Sequence, residues 1–283
     1  MEWRGGRRSG GIEDRRGLGP VGVGGIGAGG VILALIGYFV FGVSQQTTLS
    51  ALGGAGAPAA EQQGVRGSPA DEQGRFVDVI ATNVDDVWSA IFQQQGRAWR
   101  PPAAVVLYDQ ATGTGCGLGQ SAMGPFYCPN DRKVYLDLSF WNELSGRFGA
   151  SGDAAKAYVI AHEIGHHVQN LLGETAQAER LGSHGASSGS VRLELQADCY
   201  AGVWAAHASQ ASNGQVSLDP SDIEDGLRAA KAVGDDTLQR QATGRVAPDS
   251  FTHGSSAQRM RWFNKGAESG DPRSCDTFNT DEL

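Results

Sequence analysis

Residues 159–169 read "VIAHEIGHHVQ" and contain His162, Glu163 and His166 in the pattern HExxH. A helix turns by about 100° per residue, so the two outer histidines lie one turn apart on the same side. Two imidazoles at positions i and i+4 can bind one zinc ion, and the glutamate beside them can act as a base towards a water molecule. His167 lies about 100° away from His166 and is not expected to be a ligand. The stretch therefore predicts a zinc-binding helix.

A catalytic zinc ion takes a third protein ligand and keeps one position open. The candidates that follow the motif are Glu174, Glu179, His184 and Glu194. We favour Glu194, because it begins "ELQADCYAGVWAA", a second helix of small and apolar residues. Asp198 follows four residues later on the same face, and we expect it to accept a hydrogen bond from the other ring nitrogen of His162. Glu174 and His184 are the first alternatives for the third ligand.

The N-terminal part of the chain contains a long uncharged run. No charged residue occurs between Arg16 and Glu61. The apolar run 21–43 would span about 34 Å as a helix, more than the roughly 30 Å core of a bilayer. We therefore predict a transmembrane anchor at 20–43, and the arginines before it place residues 1–19 in the cytoplasm and the rest outside. A cleaved signal peptide and a glycine-rich linker are the alternatives, but the run is longer than a usual signal core.

The remaining sequence divides into a linker and one folded domain. Residues 44–74 are rich in small and polar residues and are expected to be a flexible linker, and residues 75–283 form the domain. The segments 103–109 and 133–141 are predicted strands, and we expect the second to run along the cleft as an edge strand that pairs with substrate. Helices are predicted at about 153–172, 189–210, 221–234 and 255–268. Strands followed by helices predict an α+β fold.

Charge and cysteine content limit the partners and the compartment. The net charge of −8 argues against a nucleic-acid partner. The four cysteines have no CxxC spacing, so a zinc site made of cysteines is not expected. Four cysteines allow three pairings, of which we favour Cys116–Cys128 and Cys199–Cys275; four buried thiols are the alternative. Disulfides would agree with a domain outside the cytoplasm.

Several motifs together resemble the YpfJ-like bacterial neutral zinc metallopeptidase family. They are "HEIGHH", "ELQADCYAG", "TGCGLGQSAMGPFYCPND", "VYLDLSFW" and "FTHGSSAQRMRWFNKGAESGDP". The resemblance covers the N-terminal segment and nearly all of residues 75–283. It implies a zincin-like fold of the gluzincin type, with His162, His166 and Glu194 as zinc ligands and Glu163 as the base.

A more distant resemblance concerns the C-terminal part of the domain. "ELQAD" and "THGSSAQR" are similar to the ExxAD and THPxxxxR elements of the HtpX membrane peptidases, with Gly254 in place of the proline. This similarity suggests that His253 donates a hydrogen bond to the developing oxyanion. The alternative is that His253 caps or packs the helix that follows.

These features predict a zinc metalloendopeptidase anchored in the bacterial inner membrane, with its catalytic domain in the periplasm or outside the cell. Its substrate would be a protein or peptide. The first alternative is a membrane-anchored binding or quality-control partner with a structural or vestigial zinc site. The second is a zinc hydrolase of a non-peptide amide. Glu163 favours an enzyme, because a structural zinc site has no use for a base beside it.

Overall fold

The computed structural model describes residues 1–18, 62–146 and 149–283. Within these ranges the strands are β1 Ile12–Asp14, β2 Val65–Gly67, β3 Ala104–Tyr108, β4 Ala111–Thr114, β5 Gly117–Gln120, β6 Phe126–Cys128 and β7 Lys133–Asp137. The α-helices are α1 Glu72–Gln94, α2 Phe140–Gly146, α3 Asp153–Leu172, α4 Glu174–Arg180, α5 Gly189–Ala211, α6 Pro220–Ala232, α7 Asp235–Thr243 and α8 Ser256–Ser269. The fold is mixed α and β, mostly helical with a small sheet, as the sequence predicted.

The predicted helices are present with local signals at their ends. Helix α3 has the predicted bounds and ends at Gly173, whose φ of 83° is the left-handed conformation that commonly stops a helix. Helix α5 begins after Ser188, whose side chain accepts a hydrogen bond from the Val191 amide. The sequence did not predict the short helices α2, α4 and α7, and α2 begins inside the predicted strand 133–141.

The sheet has the strand order β2-β1-β3-β7-β6. Strands β1, β3 and β7 are parallel, and the outer strands β2 and β6 are antiparallel to their neighbours. Side chains alternate between the two faces of a strand, so the apolar residues of the sheet form two separate clusters, one on each face. The helices pack on Val105, Leu107, Val134 and Leu136. The opposite face carries a smaller apolar cluster that includes Val106, Tyr108, Phe126 and Tyr135.

The prediction of an edge strand at 133–141 was wrong. Strand β7 lies between β3 and β6, and the chain forms helix α2 from Phe140 onwards. Strand β7 is buried along its whole length, which agrees with an interior position. The edge on this side of the sheet is instead β6, the short strand that precedes β7.

Residues 1–18, which we call the N-terminal arm, are part of the folded unit. Strand β1 pairs with β3 and with β2, so the arm supplies an interior strand of the sheet. Trp3 is buried and its ring lies 5.1 Å from that of Phe76. The amino group of Met1 lies 2.8 Å from a carboxylate oxygen of Asp222. This arrangement differs from the expected division, in which residues 1–19 were separate from a domain beginning at 75.

A buried ionic cluster holds the arm in the sheet. Glu13 accepts hydrogen bonds from Arg15 Nε at 2.7 Å and from Lys133 Nζ at 3.0 Å. Arg15 also donates to Thr112 Oγ1 at 2.9 Å and to the Gly113 carbonyl oxygen at 2.8 Å. Burial raises the pKa of Glu13, but its bonds to Lys133 and Arg15 outweigh this effect and hold the pKa below the usual range. Glu13 is therefore charged, and it is paired with Arg15, Lys133 and Arg66, the last at 3.4 Å.

The predicted anchor at 20–43 and most of the predicted linker lie within 19–61, outside the described residues. In the part of the chain that is described, no helix has both the length and the apolar character needed to cross a bilayer.

Both predicted disulfides are present. Cys116 is bonded to Cys128, and Cys199 is bonded to Cys275. The first bond joins the turn between β4 and β5 to strand β6. The second joins helix α5 to the C-terminal segment.

Replacing Glu13 by Gln should strongly destabilise the fold. The substitution keeps the side chain's shape but removes a buried negative charge that both Arg15 and Lys133 contact, and breaking a buried ion pair typically costs about 3–5 kcal/mol. Urea unfolding would measure the loss. The control is Glu2→Gln on the same arm, because Glu2 is exposed and should change stability by less than about 0.5 kcal/mol. Equal stability of the two variants would show that the arm does not contribute to the fold through Glu13.

Candidate metal centre

Helices α3 and α5 approach each other closely at the HExxH sequence. Gly165 allows this close approach because it has no side chain. A β-carbon at this position would lie 3.2 Å from the Ala197 carbonyl oxygen, closer than ordinary van der Waals contact. The contact brings Glu194 on α5 opposite the two histidines on α3. His162, His166 and Glu194 each offer one ligand atom, and these atoms lie within 4.8 Å of one another.

The carboxylate oxygens of Glu194 lie at ligand spacing from the two histidines. Glu194 Oε2 lies 3.2 Å from His162 Nε2, and its Oε1 lies 3.5 Å from His166 Nε2. Ligands at zinc distances of 2.0–2.2 Å in a tetrahedral site are separated by about 3.4 Å. Two imidazoles and one carboxylate are also a ligand set found in catalytic zinc sites. The three residues therefore fit a zinc ion.

The remaining ring nitrogens are held by neighbouring side chains. His162 Nδ1 lies 2.8 Å from Asp198 Oδ1, the contact that the sequence predicted. His166 Nδ1 lies 2.8 Å from Gln169 Oε1. The amide nitrogen of Gln169 in turn donates to the Leu193 carbonyl oxygen at 2.7 Å, which ties α3 to α5. Both contacts turn Nε2 towards Glu194 and fix the ring orientation. This role of Gln169 was not predicted from the sequence.

Asp198 is the centre of a buried polar network. It is fully buried and accepts hydrogen bonds from Arg259 Nε at 2.7 Å and from the Tyr158 hydroxyl at 2.5 Å. Burial raises the pKa of Asp198, but the charges of Arg259 and His162 outweigh this effect and lower it. Arg259 Nη2 also lies 3.8 Å from Glu194 Oε2, so one guanidinium faces both carboxylates.

Arg259 was not predicted from the sequence, although the sequence contains a signal for it. Arg259 is the final residue of "THGSSAQR", the element that drew attention only to His253. A charged residue on an otherwise buried helix face calls for a buried partner of opposite charge. Tyr158, in contrast, cannot be distinguished from an ordinary buried tyrosine by the sequence of α3 alone.

Glu163 has the properties of a proton acceptor. Its side chain is buried, and burial raises the pKa of Glu163, with His162 and His166 opposing the rise. A carboxylate whose pKa moves towards neutrality transfers protons more effectively near pH 7.

His253 lies in a loop organised by Asp235. The Asp235 carboxylate accepts hydrogen bonds from the backbone amides of Thr252, His253 and Gly254 at 2.8, 2.7 and 3.0 Å. Gly254 has a φ of 89°, a conformation closed to the proline of the similar element. Burial lowers the pKa of His253. The negative charges of Glu194 and Asp235 raise the pKa by more than burial lowers it, so the net shift is upward. The loop therefore places the His253 side chain within electrostatic reach of Glu194.

The other candidates for the third ligand lie outside this cluster. Glu174 contacts the Tyr200 hydroxyl at 3.2 Å, and His184 Nδ1 contacts Ser183 at 2.8 Å. Glu179 is exposed on α4. His167 points away from the centre, because its two ring nitrogens contact Tyr127 and the Arg100 carbonyl oxygen.

Comparisons with known proteins agree with this geometry. Residues 1–278 match the family described as "Putative neutral zinc metallopeptidase". The Uncharacterized protein YpfJ of Escherichia coli (strain K12) is 45% identical over 295 residues, covering 98% of this chain and 99% of that protein. The Uncharacterized protein Rv2575 of Mycobacterium tuberculosis (strain ATCC 25618 / H37Rv) is 49% identical over 220 residues, covering 74% of this chain and 73% of that protein. No solved structure matches the chain.

Replacing Asp198 by Asn should weaken zinc binding by about 10–100-fold, the usual effect of losing a carboxylate that orients a ligand histidine. The amide keeps the size of the side chain but removes the charge that faces His162 and Arg259. Competition with a chromophoric chelator would measure zinc affinity, with the exposed Glu179→Gln as the control. Unchanged affinity in Asp198→Asn would mean that Asp198 does not orient the ligand.

Proposed function

The chain belongs to the neutral zinc metallopeptidase family, and we propose that it is a zinc-dependent endopeptidase that hydrolyses peptide bonds in proteins or peptides. The observation that carries the proposal is the spacing of His162, His166 and Glu194, with the buried Glu163 beside them. Such an arrangement provides three metal ligands and a separate base, which is what hydrolysis needs and a structural site does not.

In this proposal His162, His166 and Glu194 hold the zinc ion. When bound, zinc supplies a Lewis acid that polarises the scissile carbonyl group and lowers the pKa of water. Glu163 takes the proton of the attacking water and transfers it to the leaving amine. His253 donates a hydrogen bond to the oxygen of the scissile carbonyl as negative charge develops there. Asp198 and Gln169 keep both ligand imidazoles in the required orientation.

We further propose that the substrate backbone binds in an extended conformation along β6. Strand β6 is at an edge of the sheet, and an edge strand offers unpaired backbone groups to an added strand. Helix α3 lies beside it, since Tyr127 on β6 contacts His167 and Asn170 on α3. Strand β6 thus takes the substrate-pairing role that was predicted for 133–141.

The cellular location is a separate part of the proposal. We propose that residues 20–43 attach the enzyme to the bacterial inner membrane and that the folded domain lies on the periplasmic side. Two disulfides support an oxidising compartment. The N-terminal arm, however, must lie on the same side as the domain if β1 pairs with β3. A cytoplasmic N-terminus with a single crossing of the membrane does not agree with that pairing.

The arginines of the arm have a different explanation from the one that suggested a cytoplasmic N-terminus. Four of them are paired with carboxylates. These carboxylates belong to the arm itself, to α1 or to Asp71, the residue before α1. The pairs are Arg4–Glu72, Arg7–Asp86, Arg15–Glu13, Arg16–Asp14 and Arg16–Asp71. Their positive charges are therefore used in folding, which weakens the argument from the positive-inside rule.

Replacing Glu163 by Gln should abolish proteolysis and leave zinc bound, because Glu163 is the base and not a ligand. Zinc content by atomic absorption and cleavage of unfolded casein would separate the two effects. Glu194→Ala is the matched comparison, and it should lose zinc as well as activity. If Glu163→Gln cleaved casein like the wild type, the assigned base would be wrong. If the zinc-loaded wild type cleaved no protein at all, a binding role would be favoured.

A cysteine placed on the arm should react with a membrane-impermeant maleimide in cells whose outer membrane has been permeabilised. Arg8→Cys suits this purpose because Arg8 is exposed and the native cysteines are all in disulfides. Arg240→Cys, exposed on α7, reports the side on which the domain lies. Equal labelling of both variants before lysis is expected. Labelling of Arg240→Cys alone, with Arg8→Cys reacting only after lysis, would place the arm in the cytoplasm.

A further inference from the structure

The strand β6 is fixed to the metal-binding helix by one tyrosine. Phe126 stacks on Tyr135 with ring centroids 5.0 Å apart, on the sheet face away from the helices. Strand alternation turns the next residue, Tyr127, towards α3. Its hydroxyl lies 2.9 Å from His167 Nδ1 and 3.0 Å from Asn170 Nδ2. His167 directly follows the proposed ligand His166, so this contact joins the strand to α3 beside the metal centre.

The direction of each hydrogen bond in this group follows from its partners. His167 Nε2 lies 2.7 Å from the Arg100 carbonyl oxygen, which can only accept, so Nε2 carries a hydrogen. Asn170 Nδ2 donates to the Tyr127 hydroxyl at 3.0 Å, which leaves the hydroxyl proton for His167 Nδ1. The Tyr127 hydroxyl therefore donates to Nδ1 and accepts from the Asn170 amide. The single hydroxyl proton has one acceptor, and no group in the chain of bonds competes for it.

The other side of β6 is fixed independently. Cys128, the last residue of the strand, is bonded to Cys116 in the turn between β4 and β5. That hairpin is held to the sheet by Arg15, which donates to Thr112 and to the Gly113 carbonyl oxygen. The disulfide therefore positions β6 relative to the sheet, and Tyr127 positions it relative to α3.

We infer that Tyr127 is a positioning residue that sets the gap between the edge strand β6 and the metal-binding helix, and thereby the affinity for an extended peptide backbone. The inference rests on the proposed peptidase function. A peptide that pairs with β6 must also reach the ligands on α3, so the width of this gap decides whether both contacts form together. Short substrates that occupy only the metal centre do not depend on the gap.

The test compares wild type with Tyr127→Phe on two peptides that share one cleavage site from casein. One peptide has about ten residues, long enough to reach from the metal centre along the whole of β6. The other keeps only the four residues around the scissile bond. Tyr127→Phe should raise KM for the long peptide by on the order of tenfold, the effect of losing one buried hydrogen-bond partner. The kcat for the long peptide, the kinetics of the short peptide and the zinc content should not change.

Tyr108→Phe is the matched control, because the buried Tyr108 hydroxyl has no hydrogen-bond partner among the described residues. It should leave KM unchanged for both peptides. Asn170→Ala is a second variant that removes the bond to the hydroxyl from the helix side, and it should raise KM for the long peptide by a few-fold. Unchanged KM in both Tyr127→Phe and Asn170→Ala would overturn the inference, as would equal losses on both peptides together with loss of zinc. A wild type that cleaves neither peptide nor casein would instead contradict the proposed function.

Discussion

The metal centre depends on the buried carboxylate of Asp198. It accepts hydrogen bonds from His162 and Tyr158 on α3 and from Arg259 on α8, so it joins three helices at one point. An unpaired carboxylate at this depth would cost several kcal/mol, and the guanidinium of Arg259 offsets that cost. The same guanidinium faces Glu194. The position of α8 is therefore a condition for placing the two acidic residues of α5 beside the histidines of α3.

The close packing of α5 and α8 allows Arg259 on α8 to contact Asp198 on α5. A β-carbon at Gly266 would collide with the Cys199 carbonyl oxygen, and one at Gly202 would collide with the Phe263 carbonyl oxygen. Glycine at both positions lets the helices approach until Arg259 meets Asp198. Cys199, the neighbour of Asp198, then fixes the C-terminal segment to α5 through its disulfide with Cys275. The C-terminal third of the chain is thus arranged around the residues that orient the metal ligands.

A second buried carboxylate, Glu13, organises the other end of the molecule. It joins the N-terminal arm to β7 through Lys133, and its neighbour Arg15 reaches the hairpin that carries Cys116. From there the disulfide leads to β6 and the Tyr127 hydroxyl leads to α3. The arm and the metal centre are therefore connected by contiguous packing and hydrogen bonds, although they lie far apart in sequence.

The sequence by itself predicted the longer helices and the three residues that the structure brings together, His162, His166 and Glu194. HExxH works within a single helix, and its geometry follows from the helical repeat alone, so α3 and its histidines could be predicted from a dozen residues. Glu194 and Asp198 could be chosen because they too share one helical face. Strand order could not be predicted, because pairing is decided between segments distant in the chain. Strand β1 has only three residues and reads as a polar segment, and its burial depends on Lys133, 120 positions away. Arg259 likewise acquires its role only when α8 packs against α5, since a buried charge is tolerated only where tertiary structure supplies its partner.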